Sequence, residues 1–156
     1  MNDKDQFMRK AIDLSIKNIE KGGGPFGAVI VKEGKIIATG TNRVTHENDP
    51  TSHAEVNVIR EAARILGTFD LSDCEIYTSC EPCPMCLGAI YWARISSVYY
   101  GNDKYDAAQI GFDDQFIYEE IDRPLQKRKV PAIQIMNEEA IEAFSLWDKK
   151  TDKTPY

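Results

Sequence analysis

Three cysteines at a spacing of three, Cys80, Cys83 and Cys86, lie in SCEPCPMCLGAIYWAR, with Pro82 and Pro84 among them and a chargeless run from Met85 to Ala93. Upstream, TSHAEVNVIR holds His53 and, two positions on, Glu55. Proline is tolerated at the start of a helix, where its missing N–H is not needed, so the two prolines place Cys83 and Cys86 at a helix N-terminus. The positive end of the helix dipole lowers a thiol's pKa, which makes both good thiolate ligands. Two thiolates and one imidazole leave one tetrahedral position of a zinc ion open, the arrangement of a catalytic rather than a structural site. Zinc lowers the pKa of water in that position towards ~7, and Glu55 is the natural carrier of its proton. Residues i and i+2 do not share a face in mid-helix. His53 and Glu55 therefore converge only if the site lies at the axial end of the helix, with His53 in its first turn.

Spacing alone leaves other readings open. Ser52 and Glu55 also fit a capping box, in which the glutamate only satisfies a backbone N–H. His53, Cys80, Cys83 and Cys86 together compose a closed Cys3His structural site. Against that, Cys80 belongs to the end of a strand, and a closed site leaves Glu55 without a role. Cys74 reads as a small buried hydrophobe, His46 as a solvated loop histidine, and Tyr91 and Trp92 as core. Taken alone, Asn42 is a turn residue at a strand end and Asp114 a solvated loop carboxylate.

The elements that must carry these residues follow from periodicity. Apolar residues at helical spacing from Asp5 to Lys21 predict a first helix, stopped by Gly22, Gly23, Gly24 and Pro25. FGAVIVKEGKIIATGTN reads as two strands turning at Glu33 and Gly34. A second helix spans about Ser52 to Leu66. DCEIYTS is a strand, PMCLGAIYWARI a buried helix, SSVYYG and KVPAIQIM two more strands, and Glu138 to Lys149 a last helix. Strands interleaved with helices imply a layered α/β domain with a parallel component in its sheet. The tail KKTDKTPY looks unstructured.

At 156 residues the chain suits one domain, 1–156. Its N-terminus has no apolar leader and no run approaches the ~20 apolar residues of a membrane span, so no membrane partner and a cytoplasmic location are expected. Tight Cys-x-x-Cys spacing in such a chain points to metal rather than disulfides. A net charge of −6 and a pI near 5.0 give no general attraction to phosphate backbones, and no nucleic-acid partner is expected.

His53-Ala54-Glu55 with Pro82-Cys83-Pro84-Met85-Cys86 matches the H-x-E…P-C-x-x-C signature of zinc-dependent nucleobase deaminases. The chain thereby resembles the cytidine/deoxycytidylate deaminase superfamily over about 5–101, which implies a three-layer α/β/α fold on a five-stranded mixed sheet. CEPCPMCLGAIYWARI is also similar to bacterial tRNA adenosine deaminases. GGPFGAVIVK, NRVTHENDPTSHAEVNVIR, GFDDQFIYEEI and the terminal Tyr156 look closest to bacterial guanine deaminases, over nearly the whole chain. That resemblance implies hydrolysis of a purine base, guanine, to xanthine and ammonia. In it His53, Cys83 and Cys86 hold Zn2+, and Glu55 and Asp114 move protons. Asn42 bonds the purine edge, Phe26 flanks the ring, the Ala54 backbone contacts the base, and Tyr156 closes the pocket. It further implies a homodimer in which the C-terminal helix and tail, 137–156, are exchanged between subunits. The alternatives are another base or nucleoside (guanosine, cytosine, tRNA adenosine) or a non-catalytic zinc scaffold.

Overall fold

A computed structural model describes residues 3–156, which divide into two compact units, 3–115 and 116–156. The first unit opens with α1 (Asp3–Glu20), then β1 (Gly27–Lys32) and β2 (Lys35–Thr41). Both turn residues between the strands have positive φ, Glu33 at 49° and Gly34 at 72°, the twist-matched geometry of a two-residue hairpin. A short α2 (Val44–Glu47) leads to α3 (Ala54–Leu66), β3 (Cys74–Cys80), α4 (Pro84–Trp92), β4 (Ser97–Asn102) and α5 (Lys104–Gln109).

The sheet order is β2-β1-β3-β4; β1 runs antiparallel to β2 and to β3, and β3 runs parallel to β4. The parallel pair is what α4 makes possible, because strands running the same way need a crossover between them. β1 is buried almost throughout, and its period-two alternation divides the core. Ala28 and Ile30 join Val58, Ala62, Leu71, Ile76 and Ile90 in one cluster, while Val29 and Val31 join Tyr77, with Phe7 and Leu14 of α1, in the other. Helices thus cover both faces. Gly40 brings α3 close to the sheet, since a Cβ there would stand 2.5 Å from the Ala54 carbonyl oxygen.

Among the described residues the mixed sheet has four strands rather than the expected five. KVPAIQIM forms none: Pro131 offers no N–H to a ladder, and Val130, Ile133 and Ile135 stay exposed. The second unit instead holds most of α6 (Gln115–Ile121), a 3-10 turn at Leu125–Lys127 and α7 (Asn137–Lys149), none with a buried residue. Tyr91 and Trp92 are not core either, being 76% and 70% exposed; of α4 only Cys86 and Ile90 are buried.

Candidate active site

His53 precedes the first residue of α3 as its N-cap, with extended backbone (φ −78°, ψ 156°) and no side-chain cap bond. Glu55 stands in the first turn. The i, i+2 obstacle disappears, because His53 is not yet helical and both side chains leave the axial end of α3. The capping-box reading fails on the same geometry. Ser52 donates its hydroxyl hydrogen to Glu47 Oε2 at 2.8 Å, and Glu55 points inward, 5% exposed, accepting from Thr78 Oγ1 at 2.7 Å.

Cys83 is the N-cap of α4, with Pro84 directly after it, and Cys86 lies in the first turn; the Cys86 backbone N–H donates to the Cys83 sulfur at 3.5 Å. His53 Nδ1 is 3.5 Å from Cys83 Sγ and 3.5 Å from Cys86 Sγ. A tetrahedral zinc bonded to nitrogen at ~2.0–2.1 Å and to sulfur at ~2.3 Å separates those atoms by about 3.5 Å, so the donor set fits the ion in kind and spacing. Among the described residues this trio forms the one group of three such donors within ligating reach, and Cys80 is outside it. Cys80 is buried, its thiol pushed up to about 12 by that burial. Cys83 is held well below the ordinary thiol range, chiefly by the Cys86 thiol and then by His53 and the Cys86 N–H. Sharing that proton, together with burial, pushes Cys86 up. Burial likewise raises Glu55, against the Thr78 hydrogen bond. Its second oxygen, Oε2, is 3.2 Å from Cys86 Sγ, at the edge of the metal's place.

These groups open on a cavity of about 420 Å³. His53, Glu55 and Cys83 line it together with Phe26, Asn42 and Asp114. Phe26 meets Phe112 edge to face, centroids 5.0 Å apart. Asn42 Oδ1 accepts from the Val44 N–H at 3.2 Å, which leaves the amide nitrogen as the end offered to a ligand. Asp114 Oδ1 is buried with no hydrogen-bond partner in the structure, and burial raises that carboxyl's pKa. Buried acceptors are seldom left unmet, and this carboxyl lines the same cavity as His53 and Glu55. Ala54 is fully buried, its methyl in the core, between two cavity-lining residues. Tyr156 belongs to the second unit and is exposed. His46 is exposed, its Nε2 2.8 Å from the Lys21 carbonyl oxygen. Cys74 is buried.

Sequence reasoning missed Thr78 and Phe112. The period of β3 carries the signal for Thr78, two residues before Cys80 and so on the same strand face. Phe112 stands in an irregular loop with no such pattern.

A mixed sheet covered by helices on both faces, with candidate ligands at the starts of two helices and a buried carboxylate beside them, is the arrangement of a zinc-dependent deaminase. The chain belongs to the cytidine and deoxycytidylate deaminase family, whose zinc-binding region matches residues 1–102. A guanine deaminase of Bacillus subtilis (strain 168) is 53% identical over 151 residues, 96% of this chain and 97% of that one. A tRNA-specific adenosine deaminase of Aquifex aeolicus (strain VF5) is 37% identical over 148 residues, 94% of this chain and 95% of that one. The X-ray structure of guanine deaminase from Bacillus subtilis matches 100% of this chain and 99% of its own at a TM-score of 0.96 and 52% identity. Among the described residues no helix is long and apolar enough to cross a membrane.

Proposed function

We propose that this chain hydrolyses guanine to xanthine and ammonia. The observation that carries the reading is the pairing, in one cavity, of the His53, Cys83, Cys86 and Glu55 cluster with the unmatched Asp114 oxygen. Zinc, when bound by His53, Cys83 and Cys86, supplies the Lewis acidity that makes water a nucleophile at neutral pH. Glu55 removes a proton from that water and delivers it to the departing amine, while its bond from Thr78 keeps Oε2 turned to the ligands. At C2 a bond to the water oxygen forms and the bond to the amino nitrogen breaks. Asp114 accepts from the ring N–H and amino group, Asn42 donates to the purine edge, Phe26 flanks the ring, and the Ala54 backbone contacts it. A site built on such paired contacts rejects analogues that leave them unmet.

The whole chain acts as one deaminase domain in a cytoplasmic homodimer, with 137–156 exchanged so that Tyr156 of the partner subunit closes the pocket. Supporting this are α7, which buries none of its side chains, with Phe144 74% exposed, and the solvent-exposed Tyr91 on α4. Apolar surface of that kind marks interaction sites.

The match to the Aquifex enzyme makes tRNA adenosine the second reading. The net charge of −6 and the small basic cluster Lys127, Arg128, Lys129 weigh against it. Ammonia assayed after incubating zinc-loaded protein with guanine, guanosine, adenine, cytosine, cytidine and tRNA separates these. Release from guanine above all others supports the proposal; release from tRNA or a nucleoside instead overturns it, and none from any leaves the zinc scaffold.

A further inference from the structure

The buried residues of α1 are Ala11, Ser15 and Asn18, the stripe that faces the sheet. An apolar side chain is the rule on such a stripe, yet Asn18 is an amide and only 3% exposed. Its Nδ2 donates to two backbone carbonyls, Gly24 O at 2.8 Å and Asn42 O at 2.8 Å. Both partners can only accept, so the orientation of the amide follows from chemistry. The two segments that carry those carbonyls are joined further: the Phe26 N–H donates to Gly24 O at 2.8 Å and the Asn42 N–H to Phe26 O at 3.2 Å. Gly24, Phe26 and Asn42 all line the cavity. One amide thus holds together the part of the cavity wall formed by Gly24, Phe26 and Asn42, without itself lining the cavity.

We infer that Asn18 is a positioning residue for base recognition, fixing Asn42 and Phe26 for the substrate while leaving the metal and proton machinery untouched. This rests on the reading of Asn42 and Phe26 as base contacts. Gly23 fits the same account. A Cβ there would lie 2.3 Å from Asn18 Nδ2, so an alanine pushes the amide off its two acceptors without removing any donor.

The test compares Asn18→Ala and Gly23→Ala with the parent for zinc content, kcat and KM on guanine. It adds 8-azaguanine affinity by calorimetry in the Glu55→Gln background, where nothing turns over. Expected are one zinc per chain, kcat within about threefold, and KM and Kd both raised about tenfold or more, the scale of a recognition hydrogen bond lost. On an Asn42→Ala background the effect of Asn18→Ala shrinks to within about twofold, because the two act as a unit. Unchanged KM and Kd in both variants, a loss confined to kcat, or additive effects with Asn42→Ala would overturn the inference. So would loss of zinc or of folded structure in both, which would make Asn18 purely structural; if only one folds, that one decides. Failure of the functional reading looks different. The parent itself would not act on guanine, and the same comparison then runs on whichever base it does deaminate.

Discussion

Thr78 Oγ1 lies 2.7 Å from Glu55 Oε1 and 3.0 Å from the Cys80 carbonyl oxygen, so one fully buried hydroxyl has one proton for two acceptors. The charged acceptor makes the stronger bond, and the Glu55 carboxylate is held while Oε2 faces the ligand thiols. Thr78→Val keeps the shape and removes the donor. We expect unchanged zinc content and KM with kcat lowered about 10- to 100-fold, the scale of a misplaced proton carrier. Thr78→Ser restores most of it. Steady-state kinetics on the three proteins check this, and full activity in Thr78→Val would remove the role.

Glu55→Gln preserves the side chain's outline and cannot carry the proton. Turnover should fall by at least about 100-fold, with metal content and fold intact. A residue serving only as a cap would cost about 1 kcal/mol of stability and little rate. Residual activity within tenfold of the parent would favour that simpler role.

Asp114 lies in the loop before α6, partly exposed, with one oxygen unmatched. Asp114→Ala should lower kcat/KM on guanine about 100-fold, as loss of a charged hydrogen bond does, and leave the melting temperature nearly unchanged. Equal kcat/KM would take Asp114 out of the site.

Cys80 stands apart from the ligand trio. X-ray absorption should find two sulfurs per zinc, and Cys80→Ser should retain the metal; a count of three sulfurs contradicts the open site.

The proposed exchange of 137–156 can be tested by complementation. Deleting 153–156 should leave folding, zinc and dimer intact and abolish turnover. Mixing that deletion with Glu55→Gln, after reversible dissociation, gives dimers in which one pocket has both Glu55 and a tail from its partner, and activity returns. If each tail serves its own chain, no activity returns.

Much of this was legible beforehand because it depends on local chemistry. His53, Glu55, Cys83 and Cys86 are fixed by spacing at two helix starts, and Glu33-Gly34 by what a tight turn requires. The misreadings share a different cause, tertiary neighbours that leave no local trace. The capping box that spacing left open at Ser52 could not be dismissed from sequence, because the Glu47 that takes its hydroxyl lies in the four-residue α2, too short to show periodicity. KVPAIQIM has the residues of a strand, and residue type cannot supply a partner strand. The apolar run of α4 looks the same whether Tyr91 and Trp92 face a core or solvent. Asn18, a buried amide on the sheet-facing stripe of α1, becomes interpretable only once Gly24 and Asn42 stand beside it.

Hydrolytic deamination places a water oxygen on C2 of the base and sets free one nitrogen, so the most direct measurement is mass spectrometry of the product formed from guanine in ¹⁸O-labelled water. The account predicts xanthine carrying one labelled oxygen, with one ammonia released for each. Guanine recovered unchanged from zinc-loaded protein, or xanthine without the label, would contradict it.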